Sequence, residues 1–172
     1  PLSASNEVCG IAALAASWLF GWWPFQTTGL TIVWLALLLP LAQSGEIFPP
    51  PAVQTVPYSQ SWFLGVVNLR GGLYGVVDLA AFIAGKAPVR TEQYWSEASV
   101  VTLNAALELN CSLLIDSLAG LRDVGAFSGS EPPPEGAPPY FGNRYVDADG
   151  SRWQEINLQQ LSQMSEFLSI SA

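Results

Sequence analysis

The chain sets long uncharged runs against short polar breaks. From Val8 to Ser44 there is no charged residue at all. Two apolar runs, Val8–Phe25 and Leu30–Ala42, lie in that stretch, punctuated by Gly21, Pro24, Gly29 and Pro40. Ile11–Phe20 reads as a short helix or as an extended segment packed on the body of the fold. Gly29–Leu39 reads as a strand pair or one long strand. Pro49-Pro50-Pro51 and Pro57-Tyr58 bracket a short extended segment, because proline fixes φ and restricts the residue before it. The strongest local pattern follows, from Trp62 to Leu79. Phe63, Val66, Val67 and Leu69 make one run of strand formers, and Leu73, Tyr74, Val76 and Val77 make the next. Gly71-Gly72 lies between them and supplies the positive φ angles of a tight hairpin turn.

Beyond this hairpin, Leu79–Ile83 predicts one helical turn ending at Gly85. Lys86–Trp95 reads as a polar loop. Three short strands are predicted at Ser99–Leu103, Ala106–Leu109 and Cys111–Asp116, with Asn104 in the turn between the first two; a meander of this kind suggests barrels. Ser128–Pro139, rich in Gly, Ser, Glu and Pro, reads as a flexible loop that cannot join a sheet and separates the last unit. That unit, Phe141–Leu158, echoes Leu64–Leu79. Each has a Gly in its lead, a strand, a Gly-bearing turn, a second strand and a closing Asp-Leu or Asn-Leu. Two similar hairpins about 80 residues apart argue for two pseudo-repeated β units. Leu158, Leu161, Met164, Phe167 and Leu168 follow helical spacing, which predicts a short amphipathic C-terminal helix.

Composition narrows the function. A chain of 172 residues is one domain, or two small intertwined ones, with room for a real core. Half of it is hydrophobic and only 12% charged, low for a soluble domain. The uncharged segment 8–42 is therefore weighed as a membrane hairpin, since a span needs roughly 20 apolar residues. Against that reading, Gly and Pro interrupt both runs, and no Lys or Arg flanks either one. The start carries only Glu7, so it lacks the basic opening of a signal peptide. A membrane-anchored β protein remains the alternative.

The net charge of −8, with six scattered basic residues, makes a poor nucleic-acid binder. With no histidine there is no Ser-His or Cys-His pair and no imidazole metal ligand. Cys9 and Cys111 form no disulfide framework and no Cys-x-x-Cys motif; buried inert thiols are expected. Asp147-Ala148-Asp149-Gly150 looks like part of a calcium loop. Placing Gly150 at the invariant glycine, however, puts Tyr145 at the first ligand position and Ile156 where a bidentate Glu belongs. An Asp-Gly hairpin turn is the better reading. Ser61, Ser112 and the serines at 128 and 130 lack a partner base or a nucleophile elbow. No enzyme and no cofactor is expected. Arg70, beside the hairpin turn, reads as a solvated turn arginine paired to Asp78 across the hairpin, or as a protein-binding anchor of the kind enriched at hot spots.

Leu64-Gly65-Val66-Val67-Asn68-Leu69-Arg70-Gly71 followed by Val76-Val77-Asp78-Leu79 resembles the signature of the CheW family, the coupling proteins of bacterial chemosensory arrays. Leu39-Pro40 followed by Glu46-Ile47 and a proline-rich turn resembles another of its segments, as does Ile115–Arg122, where an apolar strand ends in Asp. The apolar, tryptophan-rich start departs from the family's charged first hairpin. The resemblance implies a single mainly β CheW-like domain of two intertwined five-stranded SH3-like barrels with short helices, one of them C-terminal. It implies a non-enzymatic adaptor between the cytoplasmic tip of a methyl-accepting chemoreceptor and a CheA-like histidine kinase. Such a protein is cytoplasmic and bacterial, associated with receptor arrays at the inner membrane, without membrane insertion of its own. By residue-wise match, Arg70, Gly65 and Glu46 fall on positions tied to kinase and receptor contact. Asn68, Gly71 and Asp78 match the signature with structural roles. The tail, Trp153–Leu158 and Phe167–Ile170, resembles the pilus-associated, PilI-like branch, which implies twitching motility.

Overall fold

The computed structural model describes residues 10–17, 33–86 and 92–172. Among these described residues, eleven strands and four short helices follow in the order β1 (Gly10–Ser17), β2 (Val33–Pro40), β3 (Ser44–Phe48), β4 (Phe63–Leu69), β5 (Gly72–Asp78), α1 (Leu79–Ala84), α2 (Glu92–Glu97), β6 (Ser99–Leu103), β7 (Cys111–Ile115), β8 (Ser117–Arg122), β9 (Phe127–Glu131), β10 (Phe141–Asp147), β11 (Arg152–Ile156), α3 (Leu158–Gln163) and α4 (Ser165–Leu168). The strands form two sheets, ordered β8-β1-β2-β11-β10-β9 and β3-β6-β7-β5-β4. The architecture is mainly β, as the sequence implied, with one strand more than expected in the first sheet.

The sheets share a plan. In the second, the β4–β5 hairpin lies parallel to β7, and β7 pairs antiparallel to β6. In the first, the β10–β11 hairpin lies parallel to β2, and β2 pairs antiparallel to β1. The two halves interlock, because β3–β7 sit in the chain between β2 and β8. Alternation along the central strands then feeds two different cores. Leu37 and Leu39 of β2 and Leu113 and Ile115 of β7 join Trp62, Val77, Ile156, Leu158 and Phe167 in a core that spans both sheets. Leu38 turns the other way, onto Tyr145 and Trp153. Leu114 likewise turns onto Val67, Leu69, Val76 and Val100. A strand buried on both faces reads as a continuous apolar run, and this is the source of the hydropathy of Leu37–Leu39. The membrane alternative is accordingly not supported. The described parts of segment 8–42 are paired strands, Leu37–Leu39 are fully buried, and no described helix is long and apolar enough to cross a membrane. Residues 8–9 and 18–32 of that segment lie outside the described residues, as does Cys9.

The structure decides between two pairs of alternatives and corrects other expectations. The Ile11–Phe20 alternative resolves to strand over the described residues, and Gly29–Leu39 to one strand from Val33. The hairpin turn is Arg70-Gly71, since Leu69 pairs with Gly72 and both loop residues have positive φ, 49° and 86°. This is the two-residue geometry that matches strand twist, and an arginine takes the place predicted for glycine. Part of the loop at 86–95 is the start of α2, whose Tyr94 packs against the Val67 cluster. Ala106–Leu109 is not a strand. The Asn104 side chain accepts the Ala106 N–H at 2.9 Å and opens a 3-10 turn that closes at Glu108, φ 54°. The loop at 128–139 does reach a sheet: its first four residues complete β9, which pairs with β10 as an edge strand before Pro132–Pro134 stop it. The C-terminal helix is two helices, because Met164 is extended (φ −71°, ψ 131°) between α3 and α4.

Candidate functional site

Glu46 and Arg70 meet from opposite edges of the five-stranded sheet. Glu46 lies on β3, Arg70 in the β4–β5 turn, and three strands separate β3 from β4 in the sheet order. Yet Arg70 Nη2 is 3.0 Å from Glu46 Oε2, and Nη1 is 3.1 Å from Oε1. The sheet therefore curls until its edges adjoin. A bridge between Gln54 and Val66, two backbone hydrogen bonds of 2.9 Å, ties the segment after β3 to β4 and holds the curl. The Arg70 guanidinium also stands 5.8 Å from the centre of the Phe48 ring. Both charged side chains remain largely exposed, 73% for Arg70 and 53% for Glu46. An exposed pair of this kind contributes only ~0–1 kcal/mol to folding, so its place is not explained by stability. It presents a two-point cation and anion to solvent beside an aromatic ring.

The backbone beneath this face is fixed. Thr102 Oγ1 accepts the Glu46 N–H at 2.8 Å and donates to the Glu46 carbonyl at 3.3 Å, anchoring β3 on β6. Asn68 Oδ1 accepts the Gly71 N–H at 3.0 Å, closing the turn that carries Arg70. Asp78, read as the partner of Arg70 across the hairpin, is instead fully buried and caps α1, accepting the Ala81 N–H at 3.0 Å. Gly65 is buried too. At φ 136° a Cβ there would overlap the Gln54 carbonyl oxygen and lie 2.8 Å from its carbon, so this glycine admits the Gln54–Thr55 backbone. The structure thus brings Arg70, Glu46, Asn68 and Gly71 together at one end of the sheet. It sets Gly65 and Asp78 inside.

A second feature escaped the sequence reading. An apolar groove of about 340 Å³ lies between the β4–β5 hairpin and the C-terminal segment, with Phe63, Val66, Leu73, Leu109, Phe167 and Ile170 in its walls. Its lining carries no charged side chain. Leu73 and Leu168 on its rim are 62% and 50% exposed. The one hint in the sequence was Leu73 in a strand whose buried partners are Val76 and Val77. Cys111 lies in the lining, and burial pushes its thiol up to about 12, which keeps it neutral. At the other hairpin, Gly150 (φ 85°) sits in a plain turn, with Asp147 and Asp149 bonded to the neighbouring Ala148 and Ser151 amides. The Asp149 carboxyl is held below its usual range first by the Ser151 backbone. Among the described residues, no group of three or more His, Cys, Asp and Glu could hold a metal.

The chain is similar to known proteins in sequence and in fold. Residues 34–166 match the CheW-like domain family. Protein PilI of Pseudomonas aeruginosa is 26% identical over 135 residues, covering 77% of this chain and 72% of that one. The crystal structure of the scaffolding protein TtCheW from Thermoanaerobacter tengcongensis superposes with a TM-score of 0.62 at 15% identity, covering 88% of this chain and 89% of that one.

Proposed function

This chain belongs to the CheW-like domain family, and from that premise we propose that it is a non-enzymatic adaptor joining a CheA-like histidine kinase to the cytoplasmic tip of a chemoreceptor. The observation that carries the reading is the Arg70–Glu46 pair, joined by two contacts at a surface where it adds little to folding. Arginine with an adjoining aromatic ring is the composition of a binding hot spot. The kinase docks on this charged end of the five-stranded sheet. Arg70 and Glu46 make the contact, while Gly65 acts beneath it by seating the Gln54 segment. The uncharged groove between Leu73 and Ile170 takes the receptor, in the mode by which the apolar face of a helix enters a hydrophobic groove. The likeness to PilI supports a place in pilus-mediated, twitching-motility signalling over the flagellar branch. The site of action is the cytoplasm, at receptor arrays against the inner membrane.

Calorimetric titration with the regulatory region of a CheA-like kinase from the same source tests this. Wild type is compared with Arg70→Glu and with the double swap Arg70→Glu, Glu46→Arg. Wild type binds, the single variant does not, and the swap rebuilds the internal pair without restoring binding. Failure of the folded wild type to bind overturns the reading.

A further inference from the structure

The turn between β2 and β3, residues 41–43, joins the first sheet to β3, and Gln43 ties it to two segments that lead into opposite walls of the groove. Its side chain reaches across more than a hundred residues of sequence. Gln43 Oε1 accepts the Leu158 N–H at 2.7 Å and the Gln159 N–H at 3.3 Å, the first two amides of α3. From α3 the chain runs through α4 into Phe167, Leu168 and Ile170, which form one wall. The Gln43 backbone carbonyl accepts the Asn104 N–H at 2.9 Å, and Asn104 Nδ2 returns a bond to the Ala42 carbonyl at 3.1 Å. From Asn104 the chain runs through the 3-10 turn into Leu109, Asn110 and Cys111, in the opposite wall. Three residues beyond Gln43 stands Glu46, paired to Arg70.

We propose that Gln43 is a positioning residue that couples the groove to the Arg70–Glu46 face, so that occupancy of one alters affinity at the other. A ligand that moves the walls acts on the chain segments that continue into α3 and the Asn104 turn. Both are bonded to the turn that leads, three residues on, to Glu46. The Gln43 N–H is itself held by the Pro40 carbonyl at 3.0 Å, and the Ser44 hydroxyl bonds the same oxygen at 2.9 Å, so the turn moves as a unit. The tie to α3 is a single side chain, which makes it removable. This inference rests on the adaptor reading and adds to it a route between its two docking sites.

The test measures kinase affinity alone and in the presence of saturating synthetic peptide covering the cytoplasmic tip of a chemoreceptor from the same source. The ratio of the two is the coupling factor, and linkage makes it the same from either side. Wild type is expected to show a factor of about five or more, the lower end of typical allosteric coupling. Gln43→Ala brings the factor close to one while each ligand still binds alone. Gln43→Glu keeps an acceptor for the two α3 amides and restores the factor. Asn157→Ala removes a different cap from the same helix, at the Gln160 N–H, and leaves the turn intact; it retains the wild-type factor. The proposal is overturned by an uncoupled wild type, by a Gln43→Ala variant coupled as strongly as wild type, or by equal loss in Asn157→Ala, which would trace the effect to α3 alone. Absence of kinase binding to the folded wild type would instead overturn the adaptor reading itself.

Discussion

Asp78 and Asn157 occupy the same position in the two halves of the molecule. Each follows the second strand of a hairpin with φ −76° and ψ near 100°, and each turns its side chain onto the backbone N–H three residues ahead at 3.0 Å. Each is followed by a fully buried leucine, Leu79 or Leu158, that opens a short helix. The pseudo-repeat therefore extends past strand order to individual hydrogen bonds.

The two caps differ in burial, and their removal should differ in cost. A lost side-chain cap typically costs ~0.5–2 kcal/mol. Asn157→Ala falls in that range because the freed Gln160 amide is exposed. Asp78→Ala costs more, about 3 kcal/mol, since the Ala81 amide is left unsatisfied in the core. Asp78→Asn keeps the acceptor and recovers most of the difference. Urea unfolding midpoints of the three variants measure this.

Arg70 sits in a conformation that suits glycine. At φ 49° an L side chain is strained by ~1–2 kcal/mol. Arg70→Gly relieves that strain and loses an exposed ion pair of ~0–1 kcal/mol, so stability should stay level or rise slightly. Kinase binding should nevertheless be lost. Thermal denaturation paired with the binding titration separates the two effects, and a marked fall in stability would contradict the conformational account.

Gly65→Ala should be the most damaging single methyl in the β4–β5 hairpin. The added carbon collides with the Gln54 carbonyl at a φ of 136°, where L side chains are rarely found. The expected cost is about 3 kcal/mol, from strain and a displaced backbone together. Amide exchange should accelerate at Gln54 and Val66, whose mutual bridge opens. Unchanged protection at both amides would count against it.

Alkaline pH should weaken the fold. Burial pushes both the Cys111 thiol and the Tyr140 hydroxyl up to about 12, with the Glu166 carboxylate a lesser influence on Tyr140. The folded chain then keeps protons that the unfolded chain has lost, so stability falls as pH rises from the unfolded value of 9.0 for the thiol toward 12. Cys111→Val removes one of these groups, and its thermal midpoint should decline less steeply than wild type between about pH 8 and about pH 11.

Much of this could be read in the residues because local chemistry and global fold agree. β4, β5, β6 and β7 are runs of branched and aromatic residues between turn formers, and α1 begins after an Asp and ends at Gly85, φ 71°. The repeat was visible because both hairpins use the same closing Asx-Leu. The failures share a cause. Arg70 takes the left-handed turn position only because Asn68 bonds Gly71 behind it, and no propensity encodes that. β9 is polar and abuts prolines, yet it suffices as an edge, where only one side needs partners. The charged face and the groove join segments far apart in the chain. Arg70 and Glu46 were named through a resemblance, but their contact depends on the curl of a whole sheet, and the groove on the placement of α4.

The interlocked order of strands also sets a schedule. As the chain leaves the ribosome, β2 emerges early, but its parallel neighbour β11 is made only after β3–β10. The five strands of the second sheet are complete once Ile115 is out, and their pairing with one another needs no later strand. Until Arg152–Ile156 arrives, Leu37, Leu38 and Leu39 lack Ile156 and Trp153, which cover them in the finished fold. Long-range parallel pairing of this kind is slow and exposes apolar surface while it waits. A strand made before β3–β11 is thus among the last to be seated.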